Sequence, residues 1–249
     1  MARILVINPN TSLEMTEQIK QTVNSIAHSE HKIVFKNADI GPESLETFYE
    51  YNLATIGVLR VINREKDQFD GVLLACFGDP GIYALKEVTE VPLIGIAEAS
   101  LSKALMLGQS FSILVALNKA IPMMENMVMN YGLSSRLTSV EALELPVLDL
   151  KKGGQDTVNK LLHIGKKAKE KGAEVLILGC AGMTGLSSLV GRELGVAVLD
   201  PIAVGYKTLE GMIEIGVNVS RSGLFAPPGQ KKIIGQQLFN LEVVEKCLT

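Results

Sequence analysis

Two of the chain's three cysteines end matching segments. "VLLACFGDPG" (Val72 to Gly81) and "VLILGCAGMTG" (Val175 to Gly185) each run from apolar residues into a cysteine and then into small, turn-forming residues. Cys76 and Cys180 stand 104 residues apart in this shared register. Two thiols on opposite sides of one cleft suit a particular reaction. A thiolate removes a proton from one face of a carbon acid, a thiol returns one to the other face, and the configuration inverts. The bland alternative is that each cysteine is a small buried hydrophobe at the end of an apolar strand. The shared register brings the chemical reading level with it. Cys247 has no comparable context and reads as spare.

The neighbouring residues bear on thiol chemistry. Cys76 precedes Asp79-Pro80, the pattern of an N-cap followed by a first-turn proline, and Cys180 precedes Thr184, a candidate N-cap. A helix N-terminus lowers a thiol from its usual pKa of about 8.5 into roughly the 3.5–7.5 range. Free N–H groups there also hold developing enolate charge, worth about 3–4 kcal/mol per donor. Gly78 and Gly182, each two residues after a cysteine, permit close backbone approach to a ligand. In "NPNTS", Asn8, Asn10 and Thr11 end the first strand. Their amides and hydroxyls could bind substrate carbonyls, and for Asn8 and Thr11 plain capping and turn formation is an equal reading. The aromatic patch "FYEY" (Phe48–Tyr51) is read first as helix-core packing and second as a cleft cover. Asp79 and Asp200 are read first as cap and turn residues.

Other chemistries find little purchase. There is no HExxH or CxxC, and His28, His31 and His163 stand in polar settings that read as solvated surface, so no metal is expected. No histidine lies near either cysteine in sequence. "GCAGMTG" lacks both the Lys-Ser/Thr of a P-loop and the GxGxxG of a dinucleotide fingerprint.

The elements that carry these residues alternate in an α/β pattern. Expected strands are Ile4–Asn8, Lys32–Lys36, Gly71–Cys76, Leu93–Ile96, Phe111–Val115, Leu137–Glu141, Glu174–Cys180 and Ala197–Asp200. Several are unbroken Val/Ile/Leu runs, as in parallel strands covered on both faces. Thr11 with Glu14 forms a capping-box pattern, and Met15, Ile19, Val23 and Ile26 then share one helical face. Gly172 suits a helix C-terminus. "VPLIGI" at Val91 repeats as "VAVLDP" at Val196, an offset of 105, and "ILVIN" at Ile4 resembles "SILVA" at Ser112, an offset of 108. Nearly equal offsets imply two similar α/β lobes. The expected division is 1–100 plus 217–249 for the first and 101–216 for the second. Ligands of such sheets bind beyond the carboxyl ends of the strands, which is where both cysteines fall.

Composition narrows the partners. The 249 residues are 47% apolar and 20% charged, with a net charge of −3. Nothing here provides a basic patch for nucleic acid or a polybasic membrane tail, so a small-molecule substrate is expected. No apolar run approaches the ~18 residues of a membrane span. "MARILVINPNTS" reads as a first strand rather than a signal peptide. With three cysteines and no disulfide framework, the expected location is the cytoplasm.

"ILVINPNTS", "ACFGDPG", "VPLIGIAEA", "FSIL" and "LGCAGM" resemble, in this order, the hydantoin racemase family of the Asp/Glu/hydantoin racemase superfamily, from Ile4 to about Pro201. "ACFGDPG" paired with "LGCAGM" is similar to the hydantoin and allantoin racemase branch, since different residues follow the cysteines in the amino-acid racemases. The resemblance implies two flavodoxin-like lobes with parallel sheets related by a pseudo-twofold axis. It implies cofactor-independent racemisation by Cys76 and Cys180, a homo-oligomer, and a substrate site lined by Asn10, Thr11, Phe77, Gly78, Asp79, Ala181 and Gly182. Where many relatives carry hydroxyl residues after the "FSI" strand, this chain has Val115, Ala116 and Leu117. An apolar 5-substituted hydantoin is therefore expected over allantoin. Allantoin racemase is the first alternative, followed by a decarboxylase or isomerase on the same scaffold and a non-catalytic binding protein.

Overall fold

The computed structural model describes residues 1–65, 69–150, 154–229 and 231–234; Cys247 lies outside them. Among the described residues, eight strands form two sheets of four. The first holds β1 (Arg3–Asn8), β2 (Lys32–Asn37), β3 (Gly71–Leu74) and β4 (Leu93–Gly95) in the order β2-β1-β3-β4. The second holds β5 (Phe111–Val115), β6 (Leu137–Ala142), β7 (Val175–Leu178) and β8 (Ala197–Leu199) in the order β6-β5-β7-β8. Every pairing is parallel. The orders correspond one to one, so β3 and β7 occupy equivalent places. The fold is therefore α/β with two similar lobes.

Alternation along each central strand divides the core. Ile4 and Val6 face one cluster while Leu5 and Ile7 face another, and Leu73 and Val72 separate likewise. In the second sheet, Ile113, Val175 and Ile177 join the same inner cluster as Ile4 and Val6, whereas Leu114, Leu176 and Leu178 face outward. The inner cluster thus runs continuously between the lobes. Helix α1 (Leu13–Ile26) buries Met15, Ile19 and Val23 at the expected spacing. Helices α2 (Phe48–Glu65) and α3 (Ile82–Glu87) supply Val58, Val61, Ile82 and Leu85 to the outer face of the first sheet. Helices α6 (Gly154–Glu170) and α7 (Ser187–Leu194) cover the outer face of the second. Helices α4 (Ile96–Ala104) and α5 (Ala120–Asn130) add Ala97, Leu101, Met123 and Met124 to the shared core.

Helix α8 (Pro201–Glu214) follows β8 in the chain yet packs on α4, α1, β3 and β4. Gly205 permits this, since a Cβ there would meet Ile96 at 2.7 Å. The following segment stays with the first sheet: Arg221 donates to the carbonyls of Lys86, Glu87 and Thr89, and Phe225 stacks on Tyr83. Asp200 caps α8, accepting from the N–H groups of Ile202 and Ala203, with Pro201 opening the helix. No helix among the described residues is long and apolar enough to cross a membrane.

Several local expectations are corrected. Ser12, not Thr11, caps α1, because the Asn10 side chain takes the Ser12 N–H and fixes the turn one residue later. Asp79 does not cap the helix after it. That helix begins at Ile82 behind Gly81, and the Asp79 carboxylate instead caps α4 through the N–H groups of Ala97 and Glu98, at 2.9 and 2.8 Å. Thr184 caps no helix; its hydroxyl bonds Asp200, and across the lobes it meets Thr22 at 2.9 Å. His31 is not solvated: its Nδ1 accepts from the Ala2 N–H and its Nε2 lies 3.4 Å from the buried Glu210.

Candidate active site

β3 and β7 end two residues before their cysteines, and in each case a backbone bond to the neighbouring strand fixes the exit. The Ala75 N–H donates to the Ile7 carbonyl at 2.8 Å, and the Gly179 N–H to the Leu114 carbonyl at 2.7 Å. A Cβ at Gly179 would meet that carbonyl at 2.9 Å, so only glycine fits before the second cysteine. Cys76 and Cys180 are both free thiols, and both line one cavity between the sheets.

Asn10, Phe77 and Ala181 line the same cavity. Thr11, Gly78, Asp79 and Gly182 are not among its lining residues. Thr11 turns to the Pro42 carbonyl. Gly78, at φ +110°, leaves the room that the Tyr51 ring fills. Asp79, at φ +47°, holds the turn that follows Cys76: its N–H donates to the Cys76 carbonyl at 3.2 Å while its carboxylate anchors α4. Gly182 directs its N–H at Cys180 Sγ, 3.4 Å away.

The rest of the wall is mostly apolar: Leu45, Ala116, Leu117, Met123, Met124 and Val147. Its polar members are Asn8, Asn10, Glu46 and Tyr51. Asn8, buried at the end of β1, gives its amide hydrogens to Asn10 Oδ1, the Ser12 carbonyl and Thr16 Oγ1 and so serves to shape the turn. Among the described residues, Asn10 Nδ2 has only the Met15 sulfur, at 3.3 Å. Tyr51, expected first as core packing, stands in the wall and donates its hydroxyl to the Phe77 carbonyl at 3.1 Å. Tyr51 and Glu46 belong to a loop and helix start that carry no periodic sign of a site. The pointers were that both follow the carboxyl end of β2 and, for Tyr51 alone, the aromatic patch with its second reading as a cleft cover.

Burial reverses the expected thiol electrostatics. The Cys76 thiol is pushed well above its ordinary range, by desolvation first and then by the nearby Cys180 and Asp79. Cys180 is pushed up to about 11, by desolvation first, with the Gly182 N–H opposing and Glu46 reinforcing the shift. The expected lowering does not arise, because the helix after Cys76 starts six residues on and the turn after Cys180 is a single 3₁₀ turn, Ala181–Met183. Raised in this way, both thiols are held in the protonated form at neutral pH. Away from the cleft, donor atoms of His28, Glu210 and Glu214 lie within 4.8 Å of one another, and the Lys207 ammonium already sits 2.6 Å from Glu210.

A two-lobed α/β enzyme scaffold with a cleft at the carboxyl ends of both sheets is the class that this fold and cavity define. The family profile for Asp/Glu/Hydantoin racemase matches residues 4–209. A hydantoin racemase of Pseudomonas sp. (strain NS671) is 36% identical over 94% of this chain and 94% of its own length. A solved allantoin racemase from Klebsiella pneumoniae superposes with a TM-score of 0.91 at 35% identity, covering 96% of this chain and 99% of that one. An allantoin racemase from Pseudomonas fluorescens gives 0.90 at 33%, covering 94% and 100%. The chain belongs to the Asp/Glu/hydantoin racemase family and is an isomerase of the racemase kind.

Proposed function

We propose that the protein interconverts the D and L forms of 5-monosubstituted hydantoins without a cofactor, using Cys76 and Cys180 as paired acid and base. The observation that carries this reading is the single cavity lined by both thiols, each from the equivalent strand end of its lobe. The C5 hydrogen of a hydantoin lies beside the C4 carbonyl, so its loss gives an enolate delocalised into the ring. One cysteine, as thiolate, takes that proton onto sulfur. The other, as thiol, gives its proton to the opposite face of C5 and is left as thiolate. The two exchange roles for the other enantiomer.

The wall supports a neutral, apolar substrate. Among the described residues that line the cavity there is no Lys, Arg or His to pair with a substrate carboxylate, and there is one carboxylate, Glu46, to repel it. An amino-acid anion is therefore a poor guest and an uncharged ring a good one. Ala116 and Leu117 place methyl groups where a polar ureido substituent would want partners, which favours an alkyl or aryl substituent over allantoin. Asn10 Nδ2 offers a donor to a ring carbonyl; Phe77 and Ala181 bound the ring; and Thr11, Gly78, Asp79 and Gly182 act through the turns that hold it.

The lobes are best drawn with 201–229 assigned to the first, since α8 and the segment after it pack there. The family resemblance is what supports a homo-oligomer, and two free thiols suit the cytoplasm. Polarimetry on single enantiomers tests the function. Racemisation of 5-benzylhydantoin faster than of allantoin is expected. Faster turnover of allantoin would reverse the substrate assignment, and inertness toward both would remove the function.

A further inference from the structure

The loop between β2 and α2 brings a carboxylate to the cleft. Glu46 lines the cavity with both cysteines, and its Oε1 accepts the Val147 N–H at 3.1 Å, a bond from the first lobe to the second. The loop is braced behind it. Glu50 Oε2 accepts the N–H groups of Glu46 and Thr47 at 2.6 and 2.8 Å, and Thr47 Oγ1 accepts the Glu50 N–H, closing a capping box on α2. Glu46 is thereby held at both its backbone and one carboxylate oxygen.

The hydrogen-bond inventory of the wall then singles out the second oxygen. The Asn8 amide hydrogens are taken, Asn10 Oδ1 already accepts two bonds, and the Tyr51 hydroxyl donates to Phe77. Glu46 Oε2 has no hydrogen-bond partner among the described residues. A hydantoin ring carries N–H donors between its carbonyls, and a buried N–H left without an acceptor is costly. We infer that Glu46 is the specificity-determining residue of this site: Oε1 stays on the Val147 N–H across the cleft, while Oε2 accepts a ring N–H of the substrate. The inference rests on the proposed ring substrate and adds the group that recognises it. It also couples recognition to closure, because the residue that reads the ring is the one that ties the two lobes together.

Ring N-methylation removes the donor and tests this directly. The wild-type protein, Glu46→Gln and Glu46→Ala are assayed with 5-benzylhydantoin and its 1-methyl and 3-methyl derivatives. Glu46→Gln keeps an oxygen for Val147 but turns the other position into a donor. The expected result is that methylation at one ring nitrogen lowers wild-type kcat/KM by about ten- to a hundredfold, the span of a hydrogen bond to a charged group. Glu46→Gln lowers kcat/KM for the unmethylated ring by a similar factor, chiefly through KM, and leaves the sensitive methyl derivative within about twofold of wild type. Glu46→Ala, which loses the Val147 bond as well, is weaker on all three compounds. Wild-type indifference to methylation at both nitrogens, or equal losses by Glu46→Gln on methylated and unmethylated rings, overturns the assignment while racemisation by the wild type leaves the proposed function standing. A wild type that racemises none of these rings overturns both.

Discussion

Gly78→Ala probes the turn that presents Cys76. Gly78 sits at φ +110°, a region that an L side chain enters at a cost of about 2 kcal/mol. A Cβ built there would meet the Tyr51 hydroxyl and would lie 2.8 and 2.9 Å from Tyr51 Cε2 and Cζ. The ring is held against Gly78 by the bond from its hydroxyl to the Phe77 carbonyl, which any retreat would break. Overpacking of this kind costs about a further 2 kcal/mol. The loss is then about 4 kcal/mol, which for a chain of this length lowers Tm by about 8–16 °C. Tyr51→Ala removes the clash but not the backbone strain, so adding Gly78→Ala in that background should cost only about 2 kcal/mol. Thermal melts of the four proteins of this cycle measure both quantities. A Gly78→Ala protein that melts with the wild type would refute the strain argument. Full additivity would refute the clash with Tyr51.

Three further outcomes are expected. With both thiols raised by burial, thiolate is scarce at neutral pH. Iodoacetamide labelling of Cys76 and Cys180 should rise about tenfold per pH unit across the mildly alkaline range, and ligand should suppress it. A plateau from pH ~7 upward would mean lowered thiols instead. Racemisation should show the same rising alkaline limb in kcat/KM, since one cysteine must be deprotonated before it can act as base. Glu141 is buried on β6; desolvation raises its carboxyl, but Lys167 at 2.8 Å, Lys171 at 2.5 Å and Ser139 more than offset this, so the net pKa is lowered. A lowered folded-state pKa gives stability that is present above the unfolded carboxyl pKa and lost as pH falls through the folded value. Because the two lysines are about half exposed, Glu141→Gln should cost only about 1 kcal/mol at pH ~7, a Tm drop of about 2–4 °C that closes below pH ~4.

What could be read from the chain, and what could not, divides along range of interaction. The central strands were legible because burial on both faces writes unbroken apolar runs such as "VLIL" in β7. The register of Cys76 with Cys180 was legible because a duplicated lobe repeats its strand ends. Asp79 misled because its type and spacing fit a local cap, whereas its carboxylate reaches α4, 18 residues on. Ser12 displaced Thr11 through the Asn10 side chain, a bond that propensity does not encode. The thiol environment depended on enclosure by both lobes, and enclosure is not a property of any segment. Glu46 was hidden for the same reason, and Tyr51 was visible only as the second reading of its aromatic patch: each side chain lines the cavity through a long-range partner, Val147 or Phe77. The packing of α8 on α4 was not legible either, because it rests on Gly205 lying against Ile96, a contact that no local pattern announces.

Solvent deuterium entry at C5 by single cysteine variants tests the paired-thiol account most directly. In D₂O, Cys76→Ser and Cys180→Ser are each given pure D- and pure L-5-benzylhydantoin, and label and optical rotation are followed together. The account predicts that neither variant racemises. It also predicts that each exchanges the C5 hydrogen of one enantiomer only, with the two variants choosing opposite enantiomers. Racemisation near the wild-type rate by either variant, or exchange of the same enantiomer by both, would contradict it.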